Sequence, residues 1–158
     1  MFVHAELTVD VGFQAAAARM AALGQDGWLT HASADAYDSG LTGLARVGPR
    51  GDVRGMSKLV RVYARDLLTQ DHRAVLTLRW EATGASGALF PALDADITLT
   101  PAGPDSSLLT LDGAYRPPLA ALGASLDRVV LHRVATPTAR SLLSQIAESI
   151  SEASEEPA

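Results

Sequence analysis

The sequence predicts an α+β domain, in which a curved antiparallel sheet of six or seven strands is covered on one face by a long C-terminal helix. Short segments of alternating apolar and polar residues, joined by short turns, indicate the strands, and an apolar run at helical spacing indicates the helix. Short turns pair consecutive strands antiparallel, and a sheet with one apolar face requires a cover. The 158 residues suit one domain, 1–150, followed by an acidic tail, 151–158, that is expected to be flexible.

Composition and charge exclude several functional classes. Hydrophobic residues make up 47% of the chain and charged residues 20%, which is the balance of a globular protein. The formal net charge of −5 predicts no nucleic-acid partner and no membrane partner, since both are bound through clustered Lys and Arg. The chain contains no cysteine, which excludes disulfides and thiolate ligands. Without a signal-peptide pattern or a run of about 18 apolar residues, the protein is expected in the cytoplasm.

The N-terminal part of the chain predicts a strand followed by two short helices. Residues 2–9 alternate, and their inward set is Val3, Ala5, Leu7 and Val9. The alanine-rich residues 13–23 predict a helix ending at Gly24, because glycine commonly follows the last helical residue. A weaker helix is expected over 28–36 and a strand over 37–47.

Two hairpins complete the predicted sheet. Strand 58–67 turns through residues 69–71 into strand 74–82, and strand 93–99 turns through residues 101–105 into strand 108–115. The predicted inward face comprises Val60, Val62, Leu76, Leu78, Trp80, Ala95, Ile97, Leu99, Leu109, Leu111 and Tyr115. The glycine-bearing segments 47–56 and 83–87 should be the least ordered.

Charged strand residues fall on the opposite parity, which predicts a solvated outer face with cross-strand ion pairs rather than an acid/base array. This outer set is Arg61, Arg65, Arg79, Glu81, Asp94, Asp96 and Asp112. A register that sets Trp80 opposite Ala95 would pair Arg79 with Asp96.

The C-terminal helix, which follows Pro117 and Pro118, changes phase at Pro137. Apolar residues before and after Pro137 fall on nearly opposite helical faces. In one interpretation Thr136 caps a second helical segment that starts at Pro137. In the other the helix is continuous, and its first half turns inward Ala124, Arg128, Leu131, His132 and Ala135.

Three segments resemble the START-like, polyketide-cyclase (SRPBCC) superfamily, and within it bacterial members without an assigned function. They are residues 89–96 (LFPALDAD), 114–119 (AYRPPL) and 131–133 (LHR). The resemblance covers roughly residues 2–150. It implies a helix-grip fold with an apolar cavity between sheet and helix, which serves lipid, sterol or polyketide ligands and in some members cyclisation or dehydration. Pro137 departs from the usual unbroken terminal helix.

The sequence favours binding of an apolar small molecule in such a cavity without catalysis, because no acid/base pair is evident on the inner face. Ala95 and Gly113 are expected to leave room between sheet and helix. The ligand-binding candidates are Val62, Leu78, Trp80, Phe90, Ala95, Ile97, Leu111, Tyr115, Arg128 and His132.

Alternatives to a non-catalytic carrier remain open. In a cyclase- or dehydratase-type enzyme, His132 would act as the acid/base. A packed domain without a ligand, or a homo-oligomer, is also compatible with the sequence. No cofactor is expected, and no metal site is expected from histidines as dispersed as His4, His31, His72 and His132.

Overall fold

The computed structural model describes residues 2–25, 60–65, 67–82, 92–116 and 128–152. These residues form, in order, β1 (Phe2–Val9), α1 (Phe13–Gln25), β2 (Val60–Ala64), β3 (Leu68–Gln70), β4 (Arg73–Ala82), β5 (Ala92–Gly103), β6 (Ser106–Arg116) and α2 (Arg128–Glu152). The α+β class and the C-terminal helix are as predicted. The predicted helix 28–36, the strand 37–47 and the segments 47–56 and 83–87 lie outside the described residues.

The six described strands form one antiparallel sheet in the order β1, β6, β5, β4, β2, and β3 also pairs with β4. The first strand therefore lies beside the last, which is the strand that precedes the C-terminal helix. Helix α2 packs mainly on β1 and then on β6, whereas α1 packs on β5, β6 and α2. The core between sheet and helices is aliphatic, and its fully buried large side chains include Ile97, Leu99, Leu109, Leu111, Leu142, Leu143, Ile146 and Ile150.

The predicted two-face pattern is confirmed wherever side chains are described, with one exception. The buried inward residues are Leu76, Leu78, Ala95, Ile97, Leu99, Leu109, Leu111 and Tyr115. The exposed outward residues are Arg65, Arg79, Asp96 and Asp112. The exception is Leu7, which was wrongly expected to be buried, since 37% of it is exposed where β1 borders an open groove beside α2. The side chains of Val60, Arg61, Val62, Trp80 and Glu81 lie outside the description.

The predicted strand 58–67 is interrupted by a bulge. Ala64 lies opposite Leu78 and Leu68 opposite Val75, so four steps along this strand correspond to three steps along β4. A bulge of one extra residue shifts the side-chain alternation. Leu67 packs against the core as a result, while Leu68 is exposed.

Both predicted hairpin turns are shorter than expected. Residues 69 and 70 belong to β3, and the turn consists of Asp71 and His72, where Asp71 has a φ of 44°. Asp tolerates this left-handed conformation better than most residues. In the second hairpin β5 continues to Gly103 through an irregular register, leaving a turn at 104–105. Polar or glycine-bearing strand ends resemble turns in sequence because no core constrains them.

The register between β4 and β5 differs by two residues from the one that would pair Trp80 with Ala95. Trp80 lies opposite Leu93 rather than Ala95, and Arg79 lies opposite Asp94 rather than Asp96. A shift of two residues keeps every side chain on its own face, so the hydrophobic pattern cannot distinguish the two registers. Arg79 Nε lies 3.5 Å from Asp94 Oδ1, which is the cross-strand pair that forms.

Helix α2 is continuous through Pro137, which confirms the continuity assumed in the second interpretation of the phase change. Of the residues which that interpretation turns inward, only the side chain of Ala135 is described. Ala135 is buried, Pro137 is exposed, and the apolar set beyond it is buried: Ala139, Leu142, Leu143, Ile146 and Ile150. The helix extends to Glu152, two residues into the segment expected to be a flexible tail. Helix α1 likewise continues past Gly24 to Gln25.

Three side-chain contacts join elements that are distant in sequence. The Ser107 hydroxyl donates to the Val11 carbonyl (2.7 Å), and Arg19 Nη1 donates to the Ile150 carbonyl (2.6 Å) near the C-terminus of α2. A cation is favourable there because the helix dipole is negative at that end. The rings of Phe13 and His72 meet edge to face, with centroids 6.5 Å apart, so the β3–β4 turn touches the start of α1.

Candidate functional site

The inner face of the sheet is built from cross-strand rows that the register defines. The Tyr115 row contains Val62, Trp80, Leu93 and Tyr115. The next row contains Ala64, Leu78, Ala95, Gly113 and Val3. The third row contains Leu76, Ile97, Leu111 and Ala5, and the fourth contains Ala74, Leu99, Leu109 and Leu7.

The register brings together seven of the ten predicted ligand-binding residues. Val62, Trp80 and Tyr115 share the Tyr115 row, Leu78 and Ala95 share the second row, and the third row contains Ile97 and Leu111. Leu78, Ala95, Ile97, Leu111 and Tyr115 are buried. Phe90 lies outside the described residues, and Arg128 and His132 lie on α2, where only their backbone is described.

The second row, here called the small row, differs from its neighbours in side-chain volume. Three of its five members are Ala or Gly, although Ala64, on the edge strand β2, is exposed. Leu, Ile and Tyr dominate the rows beside it. Gly113 does not itself leave the room expected from the sequence. A Cβ at this position would lie 2.8 Å from the Asp94 carbonyl oxygen and 2.9 Å from the Ala95 Cβ. Gly113 therefore lets β5 and β6 approach closely.

The direction of α2 sets which of its residues lie level with each row. Its last turns lie beside the end of β1, since one groove is lined by Val9 and Val11 together with Ala147 and Glu148. Ala135 precedes Ala147 by a little over three helical turns, which is about 18 Å along the helix axis. Five or six residues of a β-strand span the same distance. Ala135 is thus about level with Val3 of the small row, and the turn carrying His132 is about level with the Tyr115 row.

Two polar side chains are buried near this part of the fold. Tyr115, predicted from the sequence, is 3% exposed, and Thr138, one turn after Ala135 on α2, is also 3% exposed. Neither side chain is without an interaction partner, and a buried hydroxyl group requires one. Thr138 is not predictable from the sequence, because a Thr beside the helical Pro137 gives no signal of burial until the helix is known to be continuous.

The outer face of the sheet carries a polar row that crosses four strands. His4, Asp112, Asp96 and Thr77 lie directly opposite one another on β1, β6, β5 and β4. His4 Nδ1 donates to Asp112 Oδ1 (2.6 Å), and Thr77 Oγ1 donates to Asp96 Oδ1 (2.7 Å). A shallow groove of about 690 Å³ lies over the middle of this face, lined in part by Tyr63, Arg65 and Arg79.

His4 is the titratable group that this row perturbs. Its hydrogen bond to Asp112 raises the pKa of His4 above the ordinary value of 6.5, and Glu6 adds to the effect. Glu6 Oε1 lies 3.4 Å from the other ring nitrogen. All three side chains are more than half exposed, so the arrangement is that of a solvated cross-strand pair. Among the described residues, no group of three His, Asp or Glu side chains is arranged to hold a metal ion.

The sheet order, with first and last strands adjacent and a C-terminal helix on the inner face, defines the architecture. The chain has a helix-grip fold. It is similar to a hypothetical protein from Helicobacter pylori whose crystal structure is known, with a TM-score of 0.54 at 10% identity, covering 94% of this chain and 86% of that one. No helix in the described ranges is long and apolar enough to cross a membrane.

Two enzymes are among the more distant structural matches. A truncated norcoclaurine synthase from Thalictrum flavum is 12% identical with a TM-score of 0.41, covering all of this chain and 95% of that one. The Zhui aromatase/cyclase from Streptomyces sp. R1128 is 11% identical, also with a TM-score of 0.41, covering 95% of this chain and 93% of that one. No protein-family profile and no curated protein sequence matches the chain. At these identities no active-site residue is carried over from either enzyme.

Proposed function

We propose that this chain is a member of the START-like, polyketide-cyclase superfamily that binds an apolar small molecule between the small row and α2, in the cytoplasm and without catalysis. The proposal rests on the low side-chain volume of the small row, which lies between rows with large side chains and is about level with the small residue Ala135 of α2. It assumes no nucleic-acid partner, membrane partner or cofactor.

Packing physics explains why this observation points to a ligand. Leu93 and Tyr115 on one side of the small row, and Ile97 and Leu111 on the other, are larger than the side chains of the small row between them. Protein interiors are packed as densely as organic crystals, and unfilled volume is costly. The volume over the small row must therefore be filled by its cover, by neighbouring side chains or by an outside group, and the proposal is that an outside group fills it at Ala95. An aliphatic and aromatic lining suits an apolar ligand.

The test introduces the same bulky side chain, tryptophan, at two inward-facing alanines. Ala95→Trp adds an indole to the small row, and Ala74→Trp adds one to the fourth row, where Leu99 lies opposite. Both alanines are buried, at 5% and 0% exposure, so the two variants are matched in chemistry. We expect Ala95→Trp to abolish Nile red binding while its melting temperature stays near that of the parent. Ala74→Trp, which overpacks a filled row, should cost about 1–3 kcal/mol or more.

Two results would contradict a ligand site in the small row. One is a parent protein that binds neither Nile red nor a co-purified molecule detected by native mass spectrometry. The other is an Ala95→Trp variant as destabilised as Ala74→Trp, since this would mean that side chains already fill the small row.

A catalytic version of this function is the second candidate. It is favoured by the course of α2, which sets the turn of His132 about level with the Tyr115 row. A histidine at that position can move protons near neutral pH. His132→Leu separates the candidates, because a carrier keeps most of its affinity while an enzyme binds substrate but loses turnover by about 10²–10⁴. His72→Leu, in the exposed β3–β4 turn, is the matched control.

A further inference from the structure

Strand β1 has properties of a pairing edge. Within the described part of the chain it has a strand, β6, on one side only. Its eight residues run without proline or bulge, and its register with β6 is continuous from Phe2 to Val9. Phe2 is 87% exposed and Leu7 37% exposed. A long, regular edge with exposed apolar side chains is a site at which another strand adds.

The sequence of β1 is complementary to itself in the antiparallel register that is centred on Ala5. Two copies paired around a two-fold axis must keep inward residues opposite inward residues, which allows only registers with one residue on the axis. An axis at His4 or at Glu6 sets identical charges opposite each other. An axis at Ala5 sets His4 opposite the Glu6 of the second copy, twice, and overlaps residues 2–8 of each strand.

Apolar contacts favour the same register. With Ala5 on the axis, the exposed Leu7 lies opposite Val3 of the second copy. Leu7 borders the open groove of about 650 Å³ between the end of β1 and the last turns of α2. The start of the second strand would lie along this groove and cover Leu7. Opposite charges and aliphatic pairs directly across strands are the contacts that stabilise antiparallel pairing.

We propose that β1 is a homodimer interface, in which the β1 strands of two copies pair antiparallel about an axis at Ala5 and join their sheets into one. The charge pairs give a test in which two variants are defective alone and active together. Glu6→Lys sets an ammonium group opposite His4 of the second copy, and His4→Glu sets a second carboxylate opposite Glu6, so each variant repels itself. A mixture of the two variants contains attractive pairs again.

Sedimentation velocity at about pH 6, where His4 is largely protonated, measures the outcome. We expect the parent protein to form a dimer within a concentration series that reaches about 1 mM. Each variant alone should show a dissociation constant raised about tenfold or more, and the mixture should recover it to within about threefold. Circular dichroism checks that both variants fold.

A disulfide tests the register independently of charge. The chain has no cysteine, so Ala5→Cys introduces a single thiol. Ala5 is 4% exposed, so this thiol is shielded from random encounters but would face its own copy on the axis, within disulfide reach. Thr8→Cys is the control, since Thr8 is exposed but would lie opposite Phe2 of the second copy. Oxidation should cross-link Ala5→Cys and leave Thr8→Cys largely monomeric.

Three results would overturn the dimer. They are a parent that stays monomeric over the whole concentration range, a mixture no tighter than its components, and an Ala5→Cys variant that does not cross-link at concentrations at which it sediments as a dimer. The first would indicate that another segment of the chain or a foreign peptide occupies the edge.

Discussion

His4 shows how the properties of one side chain follow from the neighbours that the sheet register supplies. In sequence it is an isolated histidine beside Glu6. In the sheet it lies directly opposite Asp112, more than a hundred residues later, and bonds to it over 2.6 Å. The hydrogen bond favours the protonated ring and so raises the pKa of His4.

Replacing the two carboxylates near His4 should affect its titration unequally. Asp112→Asn should lower the pKa of His4 toward 6.5, because it removes the largest cause of the shift, and Glu6→Gln should lower it less. Proton NMR of the imidazole Cε1–H against pH measures both. Equal pKa values of His4 in the parent and in Asp112→Asn would contradict the observed pairing.

The sign of the stability effect follows from the same shift. A group whose pKa is raised on folding stabilises the fold fully below its unfolded pKa, and this contribution is lost as pH rises through the folded pKa. The parent should therefore have a higher free energy of unfolding than Asp112→Asn at pH values below about 6.5. This difference should disappear above the folded pKa of His4. Chemical denaturation along a pH series measures it.

At the scale of elements, α2 is a helix that tolerates an internal proline. Pro137 is exposed and lacks the N–H that would bond to the carbonyl of Arg133, so the missing hydrogen bond lies at a solvent-facing position. Burial of the apolar residues beyond Pro137, among them Leu142 and Ile146, keeps the second half of the helix on the sheet. Packing thus outweighs the local preference to break.

Pro137→Ala should raise the free energy of unfolding. It restores the helical hydrogen bond and removes a residue that costs up to about 3 kcal/mol inside a helix, offset by about 0.4–1 kcal/mol of added unfolded-state entropy. Urea denaturation measures the change. Arg140→Ala, one turn later and also exposed, is the control and should stay within about 0.5 kcal/mol of the parent. A clear loss of stability in Pro137→Ala would indicate that the proline sets a needed bend.

At the scale of the whole molecule, the described sheet and helices share one core. Buried residues of β1, α1, β4, β5, β6 and α2 form a single cluster. Arg19 bonds α1 to the end of α2, and Ser107 bonds β6 to the segment before α1. Elements that share a core should lose their structure together.

Leu142→Ala tests this shared core. Leu142 is fully buried on α2, and the change should lower the free energy of unfolding by about 2–5 kcal/mol. We expect one transition in calorimetry, with equal calorimetric and van't Hoff enthalpies, in both the parent and the variant. A variant that retains protected amides in β5 and β6 after α2 has lost its own would show that the helix is a separate unit.

The sequence by itself determined the face of each strand and the presence of the terminal helix. Alternation placed Leu76, Ile97 and Leu111 inside and Arg79 and Asp96 outside, because a strand with one buried face has a period of two residues. It also selected seven residues that the register gathers into three adjacent rows. Their contact with a ligand stays a prediction.

Only the tertiary structure decided the properties that depend on which strands meet and at what register. A two-residue slip between β4 and β5 leaves the pattern of faces intact, so the sequence could not choose Asp94 as the partner of Arg79. It could not show that Gly113 accommodates a close strand approach instead of leaving a void, or that Leu7 is exposed beside α2. Nor could it decide whether Pro137 breaks α2, because local preference favours a break and the packing of distant residues prevents it.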